Sequence, residues 1–364
     1  MAKNKSKLIL IDGNALVHRV FHALPPLKTK SGELVNAVYG FLNIFLKTLK
    51  EIRPEYVAVT FDKAKKTFRN EIYAEYKANR IKAPQELYDQ IPKIKQFLKF
   101  FNIPIYELEN YEADDIIGTI CHLKSIDRPD IETLIVTGDL DTLQLIDDNT
   151  KVYSLKRGIS DIIIYDTKTV QQRFKGLKPN QMIDYKALKG DPSDNIPGVK
   201  GIGEKTAITL LKQFRNLNNL YKNINSKKIS ESVRKKLITH KDDAFMSYKL
   251  ATIINNAPIK FTLEEARIKG YNRQEIFRLL QKYQFSSLLN KLPNFTDRQT
   301  IITGLPKPNQ KKNNNLPLTS SSVNIKQKYQ IINTNAEFNN FVKLLNKQKI
   351  FAFDTETTGL DPFN

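Results

Sequence analysis

Three apolar runs in the first half of the chain each end on an aspartate: LILID at Asp12, YVAVTFD at Asp62 and TLIVTGD at Asp139. Short continuous apolar runs rich in β-branched residues and bounded by turns read as strands buried on both faces of a parallel sheet. Over residues 1–170 the pattern predicts strands near 7–12, 56–61, 132–137, 151–155 and 161–165, with amphipathic helices between them. That alternation predicts an α/β fold with a mostly parallel central sheet flanked by helices. Residues 175–290 read as mainly helical, with Gly- and Pro-rich turns. From about residue 293 to 325 the periodicity gives way to Pro, Asn, Lys and Ser, the composition of a linker. Beyond it, KYQII, AEFNNFVKLLNK and KIFAFDTET predict strand, helix and strand. A piece of about 40 residues buries too little apolar surface to stand alone, so residues 326–364 are expected to begin a larger domain. The expected division is 1–174, 175–292, 293–325 and 326–364.

Placing carboxylates at strand ends has a chemical consequence. Ligands of parallel sheets bind at the carboxyl edge of the strands, and three carboxylates gathered there repel one another unless a cation neutralises them. More acids fall in compact groups. Glu112, Asp114 and Asp115 lie in YEADD at the start of an apolar helical run, Asp139 and Asp141 just after a strand, and Asp191 and Asp194 in the loop GDPSDN. Each group has an ordinary reading, as helix-dipole partners or turn formers. Glu112 and Asp115 are three apart and share a helix face. Jointly, all in loops or at element ends, the acids predict a site for hard divalent cations, which take carboxylate oxygens. The surplus of acids fits two ions, which together can hold a scissile phosphate, activate water and stabilise the leaving oxygen.

Charge supplies the partner. Lys and Arg total 58 against 38 Asp and Glu, a formal net charge of +20, as expected of a surface that meets a phosphate backbone. The single cysteine, Cys121, excludes a disulfide framework and a thiolate metal site. His18, His22, His122 and His240 show no zinc spacing. The N-terminal MAKNKSKLILIDGN lacks the apolar core of a signal peptide, and no stretch is long enough to span a membrane, so a cytoplasmic location is expected.

The acids are therefore set against a basic background, and two segments concentrate it. Residues 63–82, KAKKTFRNEIYAEYKANRIK, carry seven Lys or Arg and two acids, with aromatics interleaved. A solvated charged helix is the plain reading. Directly after Asp62, the stretch also suits single-stranded nucleic acid, which needs cations and stacking faces. Lys63, Lys65, Lys66 and Tyr76 are candidate contacts, and Arg69, Lys77 and Arg80 are placed to steer a phosphate. Further on, NIPGVKGIGEKTA sets glycines at 198, 201 and 203 between helical stretches. Glycine allows backbone N–H groups to approach a phosphate, and the following helix start adds positive dipole. With Gly198, Lys200, Gly201, Gly203, Lys205 and Thr206, the segment resembles the helix–hairpin–helix motif, and that resemblance implies a grip on duplex backbone that positions without reading sequence.

IDGNALVHRVFHAL, FDKAKKTFRNEIYAEYKANR, YEADDIIGTI, TGDLDTLQLI and GDPSDNIPGVKGIGEKTA occur in the order found in the 5′-nuclease domain of bacterial DNA polymerase I, which residues 1–290 closely resemble. The resemblance implies a PIN-like nuclease core. Asp12, Asp62, Glu112 and Asp114 would hold one Mg²⁺. Asp114, Asp139, Asp141 and Asp194 would hold a second, with Asp115 and Asp191 acting through water and Mn²⁺ as a substitute metal. It further implies phosphate contacts from Arg69, Lys77, Arg80 and Arg19, stacking by Tyr76, an arch at 63–95 passing a free 5′ end, and K⁺ at the hairpin. The implied substrates are DNA with 5′ flaps or nicks and RNA primers, cut by a monomer during replication and repair. FAFDTETTGLDP resembles the first acidic motif of a 3′–5′ exonuclease domain, with Asp354 and Glu356 in the motif positions. No complete proofreading or polymerase site is expected in these 364 residues. Two rivals are a non-catalytic flap-binding module, which would not need the clustered acids, and a PIN-like ribonuclease, which would not need the hairpin.

Overall fold

The computed structural model describes residues 5–63, 66–157, 161–293, 332 and 334–347. The apolar runs form one six-stranded sheet. Its strands are β1 (Lys7–Asp12), β2 (Tyr56–Thr60), β3 (Ile105–Tyr106), β4 (Glu132–Thr137), β5 (Thr150–Arg157) and β6 (Asp161–Tyr165), in the order β3-β2-β1-β4-β5-β6. All neighbours are parallel except β5 and β6. The five expected strands are present. β3 is additional, and at two residues it is too short to show a period.

The chain leaves β1 for β2 on one side and returns to β4 on the other. A crevice therefore opens at the carboxyl ends of β1 and β4, where Asp12 and Asp139 lie.

Alternation within the strands builds two cores. Leu8, Leu10 and Ile135 face one layer, and Ile9, Ile11, Leu134 and Val136 the other. The second layer holds α1 (Gly13–Ala23), α2 (Asn36–Ile52), α3 (Phe68–Ile72), α4 (Gln85–Tyr88) and α5 (Ile91–Phe100) only in part: α3 lies outside it, packed on a later helix. α2 shows why such segments are helical. Val38, Phe41, Leu42, Phe45, Leu46 and Leu49 recur at three- and four-residue spacing and are buried. Burying a side chain such as Phe41 or Phe45 stabilises by about 1.5–3 kcal/mol. The helix stops at Arg53, in the left-handed region with φ 49°, whose N–H returns to Leu49 O.

The first layer holds α6 (Ala113–Asp127), α7 (Thr167–Arg173), α8 (Met182–Lys189), α9 (Glu204–Phe214), α10 (Leu217–Lys222), α11 (Glu231–Thr239) and α12 (Lys241–Ala251). α13 (Arg273–Lys282) and α14 (Ser286–Leu289) cross back, so that Ile276, Leu279, Leu280 and Leu288 join the core under α2 and α5. Residues on both sides of position 174 thus share cores, within one compact unit, Met1–Ile301.

The second unit is Ile302–Asn364. Its described part is α15 (Asn335–Leu345), capped by Thr334, whose hydroxyl accepts from Glu337 N. The expected strands at KYQII and KIFAFDTET, Asp354 and Glu356, and all of the linker beyond its first residue lie outside the described residues. Among the described residues, no helix is long and apolar enough to cross a membrane.

Candidate metal centre and nucleic-acid interface

The acids at the crevice are tied into a network by their own strand ends. Asp12 caps α1, accepting from Ala15 N at 2.9 Å through Oδ1 and from the Thr137 hydroxyl at 2.9 Å through Oδ2. The Thr137 hydroxyl accepts from Asp139 N, and Asp139 Oδ1 accepts from Asp141 N, both at 2.9 Å. Asp62 Oδ1 accepts from Ala113 N at 2.8 Å, which docks the end of β2 onto the start of α6. Asp12, Asp62, Glu112, Asp114 and Asp139 consequently line a single cavity of about 340 Å³.

Cations stand among these acids. Lys77 Nζ lies 2.7 Å from Glu112 and 3.9 Å from Asp194. Arg80 pairs with Asp194, and Lys186 pairs with Asp141 and, at 2.6 Å, with Asp191. Among the described residues, no three carboxylates are gathered tightly enough to enclose an ion. The expected ligand residues instead stand as several cation-bridged groups along two adjoining cavities that share Asp139.

The donor chemistry nevertheless fits a hard cation. Asp114 Oδ1 is buried without a hydrogen-bond partner. Burial pushes the Asp114 carboxyl well above the usual range, with Asp115 and Glu112 adding to the effect. Burial raises Asp12 to about 6, and burial with Asp139 raises Asp141 to about 7. At Asp191 burial is outweighed by Lys186 and Ser193, which hold it at about 2. Raised, oxygen-rich, under-neutralised carboxylates invite positive charge.

Two expected contacts within the basic stretch are corrected. Arg69 does not face a phosphate: it is 2% exposed. Its guanidinium grips Asp115 through two hydrogen bonds of 2.7 and 2.8 Å and donates to Leu250 O at 2.9 Å and Thr252 O at 2.8 Å. Asp115, fully buried, also accepts from Ile254 N and Glu112 N. Tyr76 does not offer a stacking face either. It is 5% exposed and its hydroxyl donates toward Glu112 and Asp194. Both side chains lock the basic stretch onto the core.

The rest of that stretch is anchored by its backbone. Lys77 N donates to Asp194 O, Asn79 Nδ2 to Pro192 O, and Asn195 Nδ2 to Glu75 O. Within its described residues, α3 and turns replace a long solvated helix. Lys63 is exposed beside Glu109, and Lys66 is exposed; Lys65 lies outside the described residues. Arg19, with His18, Lys186 and Arg173, lines a second cavity of about 1080 Å³ that adjoins Asp139.

The glycine hairpin joins α8 to α9. Gly198 is buried and its N–H goes to the Ser247 hydroxyl at 2.9 Å, so it does not face a phosphate. Its φ of 64° and a would-be Cβ 2.2 Å from Gly190 N explain the glycine there. Lys200, Gly201, Gly203 and Lys205 are exposed and Thr206 half-buried. Lys236 donates to Gly201 O at 3.1 Å. The sequence reading missed Lys186, Thr137 and Arg173. Only Lys186 left a trace, five residues before Asp191 in KALKGD.

A family model described as 5′-3′ exonuclease, N-terminal resolvase-like domain, matches residues 7–175. A second, 5′-3′ exonuclease, C-terminal SAM fold, matches residues 177–274. The chain is 44% identical over 288 residues to DNA polymerase I of Caldicellulosiruptor bescii, covering 79% of this chain and 33% of the relative. It is 40% identical over 382 residues to DNA polymerase I of Chloroflexus aurantiacus, covering 98% and 39%. The chain thus spans between 33% and 39% of these relatives. Among solved structures, zinc-bound T5 5′-exonuclease matches with TM-score 0.56 at 20% identity, covering 77% of this chain and 98% of that one. The catalytic core of Rad2 in complex with DNA substrate matches with TM-score 0.52 at 17% identity, covering 79% and 93%. These two likenesses show the fold.

Proposed function

The chain belongs to the 5′–3′ exonuclease family, and from that premise we propose that it is a metal-dependent, structure-specific 5′-nuclease. Its substrates are DNA with 5′ flaps or nicks and primer RNA, hydrolysed near the junction of duplex and 5′ single strand. The setting is replication and repair, as the N-terminal part of a DNA polymerase I, acting as a monomer in the bacterial cytoplasm. The observation that carries this reading is the convergence of acids from three strand ends and the start of α6 on one cavity, with Asp114 Oδ1 buried and unpartnered.

Asp12, Asp62, Glu112 and Asp114 would hold one Mg²⁺, and Asp114, Asp139, Asp141 and Asp194 a second, with Asp115 and Asp191 supporting. Bound there, the ions supply charge neutralisation and water activation. The chain's own groups do the rest. Thr137 orients Asp12 and Asp139 through its hydroxyl. Lys77 and Arg80 lie at the cavity and offer positive charge to a scissile phosphate. Arg69 and Tyr76 hold the base of the arch in register. Lys200, Lys205 and the N–H groups near Gly201 and Gly203 grip the duplex backbone. Lys236, donating to Gly201 O, stands where the hairpin would otherwise offer a carbonyl to K⁺. Shape, not base identity, sets selectivity.

The test is a labelled 5′-flap duplex with Mg²⁺ or Mn²⁺, then with EDTA. Cleavage near the junction that EDTA abolishes is expected. Asp139→Ala is expected to remove cleavage while sparing binding, because it deletes one acid that also repels phosphate. Binding without metal-dependent cleavage refutes the enzyme reading, and preference for structured RNA redirects it to a ribonuclease.

A further inference from the structure

One ammonium joins the acids nearest the hairpin. Lys186, on α8, donates to Asp141, in the turn after β4, and to Asp191, in the loop after α8, at 2.6 Å. Its side chain is 17% exposed. Asp191 is held further by Ser193, through N at 3.0 Å and Oγ at 2.6 Å. Asp141 N in turn donates to Asp139. Without a cation, Asp141 and Asp191 would be two under-solvated like charges on separate segments, an unfavourable arrangement.

Resting on the metal-dependent reading above, we propose that Lys186 is the internal counterion of the ion-free centre. Its ammonium keeps Asp141 and Asp191 together, gives way when a divalent ion takes the same oxygens, and is then free to face a substrate phosphate. A lysine suits this task better than an arginine, because its point charge rides on a flexible four-carbon stem and is not bound by a planar fork. The larger cavity that Lys186 lines sets Arg19, Arg173 and Lys189 against Asp139, Asp141, Asp191 and Glu204, so an ion that neutralises the acids leaves the lysine among cations. Lys186 is in this sense a positioning residue, acting on the acids.

Competition makes the inference measurable without turnover. Calorimetric titration with Mg²⁺ should show Lys186→Met binding the ion about fivefold or more tightly than the wild-type chain, the usual scale of a coupling between two occupants. In EDTA the variant should melt at a lower temperature than wild type, and Mg²⁺ should close the gap. A merely structural lysine would give the opposite sign, with weaker ion binding, and that result or an unchanged affinity overturns the inference. A second measurement uses the wild-type chain alone. With ¹⁵N-labelled lysine, the Lys186 ammonium should give a slowly exchanging resonance in EDTA that Mg²⁺ shifts or broadens away. A resonance indifferent to Mg²⁺ overturns the inference while leaving the nuclease reading intact. Failure of the wild-type chain to bind Mg²⁺ at all overturns both.

Discussion

Arg69→Met separates a structural role from a catalytic one within the basic stretch. Methionine keeps most of the volume and removes the charge. The change leaves the Asp115 carboxylate, fully buried, with only the N–H groups of Ile254 and Glu112. It also strips the Leu250 and Thr252 carbonyls of the donor that ties α3 to the end of α12. Breaking a buried ion pair from one side costs about 3–5 kcal/mol. For a unit of this size each kcal/mol moves the midpoint by about 2–4 °C, so a fall of about 10 °C is expected. Arg80→Met is the control. Its guanidinium is 48% exposed, and the buried Asp194 keeps the Tyr76 hydroxyl and Lys77 at 3.9 Å, so the loss should be about 1 kcal/mol and the midpoint should stay within about 4 °C. The assay is thermal melting and urea unfolding, both followed by circular dichroism, paired with flap cleavage at a temperature where both variants are folded. Arg80→Met should keep its midpoint and lose cleavage. Arg69→Met should lose stability at unchanged denaturant slope and keep most cleavage once folded. The double change Arg69→Met with Asp115→Leu should recover part of the loss, because it removes the stranded charge. An Arg69→Met chain that unfolds at the wild-type midpoint yet cannot cleave would refute the reasoning and return Arg69 to the phosphate.

Two other expectations concern sites away from the acids. Asp184 is 5% exposed and accepts from Leu217 N at 2.9 Å. Burial, only partly offset by that bond, raises its carboxyl from 3.8 to about 6. The folded state thus holds a proton that the unfolded state has released, so stability is greatest below pH 3.8 and falls as pH rises to about 6, by about 3 kcal/mol for this group. Asp184→Asn keeps the acceptor and removes the charge. It should melt higher at pH 8 and flatten the fall between pH 4 and 6.5; parallel pH profiles for the two chains would contradict the assignment. Lys200→Ala should weaken duplex binding and lower its salt slope by about one, measured by fluorescence anisotropy across a salt series. A rate defect at unchanged affinity would remove the hairpin from duplex binding.

What the sequence disclosed and what it hid divide along a physical line. β1, β2 and β4 were legible because a strand buried on both faces writes its environment into consecutive residues, and the Asp at each end marks where burial stops. The crevice followed, since parallel topology fixes which strand ends meet. Arg69 and Tyr76 were misread because nothing within their own segment shows burial. The partner of Arg69 lies 46 residues away and its carbonyl acceptors 181 and 183 residues away. Gly198 misled in the same way, its N–H being spent on Ser247, 49 residues on. Lys186 had a local trace in Asp191, five residues on, but its pairing with Asp141, 45 residues earlier, was hidden. Each is a long-range pairing that local pattern does not encode.

That line changes how the charge itself should be weighed. The formal +20 treats every Lys and Arg as available to a phosphate backbone. Arg69 and Lys186 are held by buried or half-buried acids, and Lys77 is shared between Glu112 and Asp194. These cations hold the acidic crevice together before any ion arrives. The acids they hold are in turn withdrawn from repelling the substrate. Lys66, Lys200 and Lys205 are among the exposed cations, in the basic stretch and on the hairpin, and on the proposed reading they remain available to a phosphate backbone. On the proposed reading, long-range attraction of the nucleic acid falls to the exposed cations, while Lys77, Arg80 and Lys186 neutralise the crevice until an ion and a phosphate arrive. For that reason salt should weaken binding through the hairpin, while divalent ions act on the cavity through Lys77 and Lys186.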